Sequence, residues 1–148
     1  MDAYDGKMLK LLVQNARITG AEIARKINLS VPAVTERLRK LTKSGIIDKY
    51  TILLNRQKLS LHTMAFIFVW IDHAKNTSAK EQIIALSEVL ECHHIAGDCD
   101  LLLKVLVKDT AALEELLITK IKAIKAVTRT STTIVLSSYK EVINTITA

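Results

Sequence analysis

The stretch TGAEIARKINLSVPAVTERLRKLTKSG, residues 19–45, predicts two short helices joined by a tight turn. Thr19 and Glu22 have the T-x-x-E spacing of a capping box, in which each side chain accepts a hydrogen bond from the other residue's backbone amide. A helix is therefore expected to begin after Thr19. Asn28 stands where that helix needs a left-handed terminating residue, and Ser30 can cap the next helix.

The second helix, expected to end before Gly45, has an apolar back and a basic front. Its apolar stripe at helical spacing comprises Val31, Val34, Leu38 and Leu41. In a helix-turn-helix the second helix enters the major groove of DNA, so that its early residues face base edges and its later cations approach phosphates. The expected DNA-contacting residues are the cap Ser30 with Pro32, Ala33, Thr35, Glu36, Arg39, Lys40 and Lys43.

A helix before this motif completes a small bundle. Residues 7–14 place Met8, Leu9 and Leu12 on one stripe, with Asp2 and Asp5 at the N-terminal end. Any three-helix bundle would show this pattern, with or without DNA contacts.

The distribution of charge favours nucleic acid. Residues 1–58 hold twelve Lys and Arg against five Asp and Glu, a net +7, whereas residues 59–148 hold nine against ten, a net −1. A solvated charged surface would spread its charges more evenly. The asymmetry predicts that only the first third of the chain meets a polyanion.

The rest of the chain alternates strands and helices. Residues 46–55 are predicted to form a strand that leads into a linker, and a second capping signature, Ser78 with Glu81, is expected to open a helix ending near Leu86. The other predicted elements are strands over 63–72, 89–96, 101–109 and 127–138 and a helix over 109–124. The order β-α-β-β-α-β predicts a ferredoxin-like domain.

The fold class is therefore α+β, with an N-terminal helix-turn-helix domain over residues 1–50, a connecting strand and linker over 51–62, and a ferredoxin-like domain over 63–148. The aromatic residues of the 63–72 strand, Phe66, Phe68 and Trp70, are expected in the core. Because the strands are apolar in long runs, the second face of the sheet also needs a cover. A second copy of the chain is the economical cover, so we expect a homodimer formed through the sheet face.

The composition favours a cytoplasmic protein without a membrane anchor. The first residues, MDAYDGKMLK, lack the apolar core of a secretory signal. The longest run without Asp, Glu, Lys or Arg, residues 59–71, is too short to span a bilayer. Cys92 and Cys99 are expected as reduced thiols.

A glycine and two aspartates interrupt the apolar stretch IAGDCDLLLKVLVKD, residues 95–109. In an extended hairpin arm, Asp98 and Asp100 would project on the same side, and Gly97 would allow a positive φ and close approach of a ligand. A carboxylate there can accept hydrogen bonds from the ammonium group of an amino acid. Gly-Asp pairs are also ordinary turn formers, so a purely structural role is the alternative.

Catalysis and metal binding are less favoured for this region. The two aspartates with His93 and His94 lack an oxyanion donor and a cationic anchor, so no catalytic residues and no enzyme activity are expected. Adjacent strand residues point to opposite faces, and Cys92, His93, His94 and Cys99 match no zinc spacing, so no metal and no cofactor are expected.

Several fragments, in this order and spacing, resemble the Lrp/AsnC family of feast/famine transcriptional regulators. They are NARIT..EIA and LS.PAVTERLR.L...GII..Y in the first part of the chain, and GDCDLLLKV and TTIVLS..K in the second. The resemblance covers nearly the whole chain. It implies a winged-helix-like DNA-binding domain joined to an effector-sensing domain, with dimers that associate further, commonly into octamers.

The resemblance also implies roles for individual residues. Arg37 matches a phosphate-contacting position, and Arg17 matches a position that stabilises the domain or lies near the DNA backbone. The implied amino-acid pocket, formed between subunits, comprises Gly97, Asp98, Asp100, Thr132 and Thr133. Position 99 is often aromatic in relatives, and Cys99 departs from that pattern.

These observations predict a sequence-specific regulator that binds double-stranded DNA and responds to an amino acid. Two other functions stay open at the level of sequence. One is an architectural, chromatin-like DNA binder with little sequence preference, which strong salt dependence without a binding motif would indicate. The other is a small-molecule-binding ferredoxin-like protein without DNA binding.

Overall fold

The computed structural model describes residues 1–75 and 78–144. The chain divides into two compact units. The first comprises Met1–Leu53 with residues 140–144, and the second comprises Leu54–Tyr139. None of the described helices is both long and apolar enough to cross a bilayer.

Three helices form the first unit: α1 (Ala3–Gln14), α2 (Gly20–Ile27) and α3 (Val31–Lys43). Their inner faces meet at Met8, Ile23 and Val34, which are fully buried. The predicted helix-turn-helix is therefore confirmed, and α1 begins earlier than residue 7 because Asp2 and Asp5 form a capping box at its N-terminus.

The local signals around the turn between α2 and α3 are also confirmed. Thr19 Oγ1 accepts a hydrogen bond from the Glu22 amide at 3.2 Å, and Glu22 Oε2 accepts one from the Thr19 amide at 2.9 Å. Asn28 has a left-handed backbone with φ of 58°. Ser30 Oγ accepts a hydrogen bond from the Ala33 amide and so begins α3.

Two expectations for the first third of the chain are wrong. Val31 is 46% exposed, because side chains lean toward the N-terminus of a helix and the first residue of α3 therefore points past the helix end. No strand forms over residues 46–55, and Ile52, Leu53 and Leu54 are 74%, 77% and 66% exposed. A strand needs a neighbour to satisfy its backbone, and no described strand of the same chain pairs with this segment.

The second unit has the predicted β-α-β-β-α-β order. Its elements are β1 (Thr63–Ile71), α4 (Ala79–Ile84), β2 (Val89–His94), β3 (Leu101–Val107), α5 (Thr110–Glu115) with a π-helical segment (Leu116–Ile121), and β4 (Val127–Ile134). The sheet order is β2-β3-β1-β4, and all neighbours are antiparallel. The α+β, ferredoxin-like fold is therefore confirmed.

The two faces of this sheet differ. Ala65, Ile67 and Val69 of β1 are fully buried in a core shared with the helices. Phe66, Phe68 and Trp70 alternate with them and are only half-buried, so the expectation that these aromatic residues belong to the core is wrong for the single chain.

The helices of the second unit differ from expectation at two points. Ser78 does not cap α4, because its φ of −102° and ψ of 9° are not the extended geometry that a cap needs, and its hydroxyl instead accepts a hydrogen bond from Gln82 Nε2. The helix ends at Ile84, before Leu86. The predicted helix over 109–124 is capped by Asp109, but it widens into the π-helical segment after α5.

Candidate nucleic-acid interface and ligand pocket

The outer face of α3 is accessible along its length. Val34 and Leu41 are buried on the inner side, so the polar side of the helix faces solvent. Ala33 and Arg37 are half-buried, and the other residues expected to contact DNA are exposed: Ser30, Pro32, Thr35, Glu36, Arg39, Lys40 and Lys43. The fold therefore brings the whole predicted set to one helix and its cap.

A carboxylate sits among the cations of this face. Glu36 Oε2 accepts a hydrogen bond from Arg39 Nε at 2.8 Å, and Oε1 accepts one from Arg39 Nη2 at 2.7 Å. Lys40 Nζ lies 3.9 Å from the same Oε1. The hydrogen bond from Arg39 holds the pKa of Glu36 below its ordinary value and raises the pKa of Arg39, so both groups are charged at neutral pH.

Arg37 is tied to the start of α1. Its Nη1 donates to Asp2 Oδ2 at 2.7 Å and to Asp5 Oδ1 at 2.8 Å, and its guanidinium lies 5.6 Å from the centre of the Tyr4 ring. A guanidinium engaged in this way fastens α3 to α1. To contact a phosphate as expected, the Arg37 guanidinium would have to keep these bonds and bind the phosphate as well. The sequence gives no local signal for the network, because its members lie more than thirty positions apart.

The loop between β2 and β3 does not have the predicted conformation. Gly97 has no positive φ, so that expectation is wrong, and a Cβ on Gly97 would meet nothing within 4 Å. The chain reverses over residues 95–100 as a series of bends, so no single residue must take the left-handed conformation. The extended-arm argument for Asp98 and Asp100 therefore does not apply, and Asp98 is exposed to solvent.

Asp100 turns toward the end of β1. Its Oδ2 accepts a hydrogen bond from the Ile71 amide at 2.7 Å, and its Oδ1 lies 3.0 Å from His73 Nε2. The hydrogen bond from Ile71 and then the contact with His73 lower the pKa of Asp100. Sequence reasoning missed His73, because no local pattern connects residues twenty-seven positions apart that flank the neighbouring strands β1 and β3.

Thr132 and Thr133 lie further along the sheet. They pair with Ile67 and Phe66, respectively, whereas Asp100 bonds at Ile71. Four strand residues span about 13 Å, and neighbouring threonines point to opposite faces. One chain therefore does not bring the threonines and the aspartates together into a closed pocket.

The cysteines and histidines of β2 and its loop do not form a cluster. Cys92 is half-buried, and burial raises the pKa of its thiol. Cys99 is buried, and its thiol donates a weak hydrogen bond to the Leu101 carbonyl. The thiol is therefore not presented at the surface, where it could contact a ligand. His93 Nε2 lies 3.1 Å from Glu91 Oε2. Across residues 1–75 and 78–144, no three His, Cys, Asp or Glu side chains are grouped to hold a metal ion.

Comparisons with known protein families cover both units. Residues 1–48 match the model of the winged helix-turn-helix DNA-binding domain. Residues 64–144 match the model of the Lrp/AsnC ligand binding domain, which is more than half of the chain.

Relatives with curated sequences align over almost the full length of the chain. The chain is 33% identical over 144 residues to the leucine-responsive regulatory protein of Haemophilus influenzae, covering 95% of this chain and 87% of that one. An HTH-type transcriptional regulator of Pyrococcus horikoshii is 34% identical over 144 residues, covering 95% and 96%.

Solved structures share the same fold. AsnC of E. coli superposes with a TM-score of 0.90 at 31% identity, covering 99% of this chain and 97% of that one. A transcriptional regulator of Neisseria meningitidis in complex with L-Met gives 0.88 at 29% identity, covering 96% and 94%. The feast or famine regulatory protein of M. tuberculosis complexed with L-methionine gives 0.90 at 29% identity, covering 99% of each chain.

Proposed function

The chain belongs to the Lrp/AsnC family and is a transcriptional regulator with a helix-turn-helix DNA-binding domain, and on that premise we propose that α3 reads double-stranded DNA while the second unit senses a free amino acid. In this proposal residues 1–50 bind DNA, residues 51–62 connect the two domains, and residues 63–148 carry assembly and sensing. No catalytic step belongs to this function.

The exposed, cation-bearing face of α3 is the observation that carries the DNA-binding part. Its apolar side is fixed in the core by Val34 and Leu41, and its cap at Ser30 fixes where the helix begins. The early residues Pro32, Ala33, Thr35 and Glu36 are assigned to base edges. The residues assigned to phosphates are Arg39, Lys40 and Lys43. Arg37 joins them if its guanidinium can contact a phosphate while it stays bonded to α1.

An amino acid is the proposed effector, and relatives of N. meningitidis and M. tuberculosis have been solved with L-methionine. The proposed site comprises Gly97, Asp98, Asp100, Thr132 and Thr133. Asp98 supports it as an exposed carboxylate that can accept hydrogen bonds from an ammonium group. Since the threonines lie about four strand residues from Asp100, the proposed pocket needs threonines from a neighbouring subunit.

A homodimer is the proposed minimal unit, and higher assembly, such as an octamer, is proposed on top of it. Phe66, Phe68 and Trp70 support the dimer because they form a half-buried aromatic row on the sheet, where the Arg129 guanidinium lies 4.5 Å from the centre of the Trp70 ring. The exposed Leu53 and Leu54 support it further, because a partner strand would cover them. The cytoplasm is the proposed compartment, since genomic DNA is the partner.

Selection from random duplexes at near-physiological salt, with and without pooled amino acids, tests the proposed function. We expect enrichment of a two-fold-symmetric motif whose half-sites are about one helical turn, or a multiple of it, apart, and a shift of the enriched set when amino acids are present. Strong, salt-dependent binding without an enriched motif would instead identify an architectural DNA binder. A folded dimer that binds no duplex would contradict the DNA-binding assignment.

A further inference from the structure

Glu36 is the one acidic residue in the sequence of α3, VPAVTERLRKLTK. It lies on the face that the cations occupy, and half of its side chain is exposed. Its two oxygens take both Nε and Nη2 of Arg39, at 2.8 and 2.7 Å, in a two-pronged ion pair. One edge of the guanidinium fork is therefore already filled by a carboxylate when no DNA is present.

Stability of the helix does not account for this arrangement. The pair is an exposed i, i+3 contact in which 58% of the Arg39 side chain is accessible, and ion pairs of this kind contribute little to folding. A surface meant only to attract a polyanion would leave the position neutral or basic, because a carboxylate beside a phosphate is repelled. A carboxylate at position 36 therefore lowers the attraction of this face for phosphates.

We propose that Glu36 is a specificity-determining residue that withholds Arg39 from the phosphates of non-specific DNA. The inference rests on α3 being the DNA-facing helix, as proposed above. At a matched site a cytosine amino group offers Glu36 a hydrogen-bond donor in the major groove. Glu36 then releases Arg39 and accepts a hydrogen bond from the base, and the Arg39 guanidinium moves to a neighbouring phosphate. On other sequences the two side chains stay paired and the phosphate contact is not made.

The test measures the affinity of a labelled mixed-sequence duplex across salt concentrations of about 0.05–0.2 M. Glu36→Gln keeps the shape of the side chain and removes its charge. Releasing one cation to one phosphate steepens the slope of log affinity against log salt by about 0.9, which corresponds to about fivefold tighter binding at 0.15 M salt. The matched control is Asp48→Asn, which removes the same charge from an exposed position of the same unit outside α3.

Arg39→Ala completes the cycle. We expect the gain from Glu36→Gln to disappear in the Glu36→Gln/Arg39→Ala double variant, since there is then no guanidinium to release. A gain that persists without Arg39, or that Asp48→Asn reproduces, would reduce the effect to general charge and overturn the proposal. Unchanged or weaker non-specific binding in Glu36→Gln would overturn it as well.

Lys43→Ala distinguishes this inference from the proposed function on which it rests. If Lys43→Ala weakens binding while Glu36→Gln changes nothing, α3 is the DNA-facing helix and only the role of Glu36 is wrong. If Lys43→Ala also leaves binding unchanged, the orientation of α3 is wrong, and the role of Glu36 is overturned with it.

Discussion

Arg37 Nη1 lies 2.7 Å from Asp2 Oδ2, a contact between residues thirty-five positions apart that joins α3 to the first turn of α1. Asp2 is at once the cap of α1 and the partner of Arg37. The orientation of α3 therefore depends on how α1 begins.

Arg37→Ala should lower the melting temperature of the protein by a few degrees, because it removes the link between α3 and α1. Arg37→Lys, the matched control, keeps the charge but not the fork and should have an intermediate effect. Differential scanning calorimetry at neutral pH measures both. Equal melting temperatures for Arg37→Ala and the wild type would show that the link does not stabilise the unit.

The stabilisation that this link between α3 and α1 provides should depend on pH. The hydrogen bond from the Asp5 amide, followed by that from Arg37, holds the pKa of Asp2 below its ordinary value of 3.8. A lowered pKa in the folded state means that this stabilisation is present above 3.8 and is lost as the pH falls through the folded value. We expect the melting temperatures of the wild type and Arg37→Ala to converge as the pH is lowered below that value. A constant difference down to strong acid would contradict the assignment.

Lys43→Ala should weaken binding to every duplex sequence and reduce the slope of log affinity against log salt by about 0.9, since one phosphate contact is lost. Lys43 is exposed in the last turn of α3. Fluorescence anisotropy with a mixed-sequence duplex measures the effect. Lys125→Ala, an exposed lysine of the second unit, is the control and should leave the slope unchanged.

Asp100→Ala should abolish the response to amino acids while ligand-free DNA binding is retained. The carboxylate holds the Ile71 amide and His73 at the end of β1, so its removal loosens the loop that carries Asp98. Calorimetric titration with pooled amino acids, alongside DNA binding, measures the two properties separately. Glu114→Gln on α5 is the control with the same loss of charge. A full amino-acid response in Asp100→Ala would show that the pocket lies elsewhere.

Phe68→Glu should convert the proposed dimer to monomers at micromolar concentration, because it puts a charge in the middle of the half-buried aromatic row. Ile118→Glu is the matched control, since Ile118 is 55% exposed in the π-helical segment and outside the sheet. Sedimentation velocity measures both variants. A dimeric Phe68→Glu protein would exclude this sheet face as the interface.

The features that the sequence predicts most accurately are those determined by residues close together in the chain. The caps at Thr19 and Ser30 and the left-handed Asn28 depend on groups at most four positions apart, and the sequence predicts all three correctly. The succession of the strands along the chain follows from the hydrophobic runs in the sequence, because a strand that is buried in a sheet is rich in apolar residues.

Apart from the local signals at Ser78 and Gly97, sequence reasoning failed where the deciding partner is distant in the sequence. The sequence singles out Asp100, but its partners Ile71 and His73 lie twenty-nine and twenty-seven positions earlier. The segment 46–55 has the composition of a strand, yet a strand also requires an edge with which to pair. Glu36 was expected to face bases, whereas its ion pair with Arg39 depends on rotamers that composition does not specify.

The π-helical segment has a consequence for how the chain can change in length. Leu116 and Ile121 are five positions apart, yet they are 1% and 0% exposed. Five residues of an α-helix would advance about 140° beyond a full turn, so the wider π turn is what keeps both against the sheet. Deleting the exposed Ile118 would leave the pair four apart, the α-helical spacing, and both would still face inward. We therefore expect the protein to tolerate a one-residue deletion here, whereas a one-residue deletion inside β1 would move the following residues of the strand to the opposite face of the sheet.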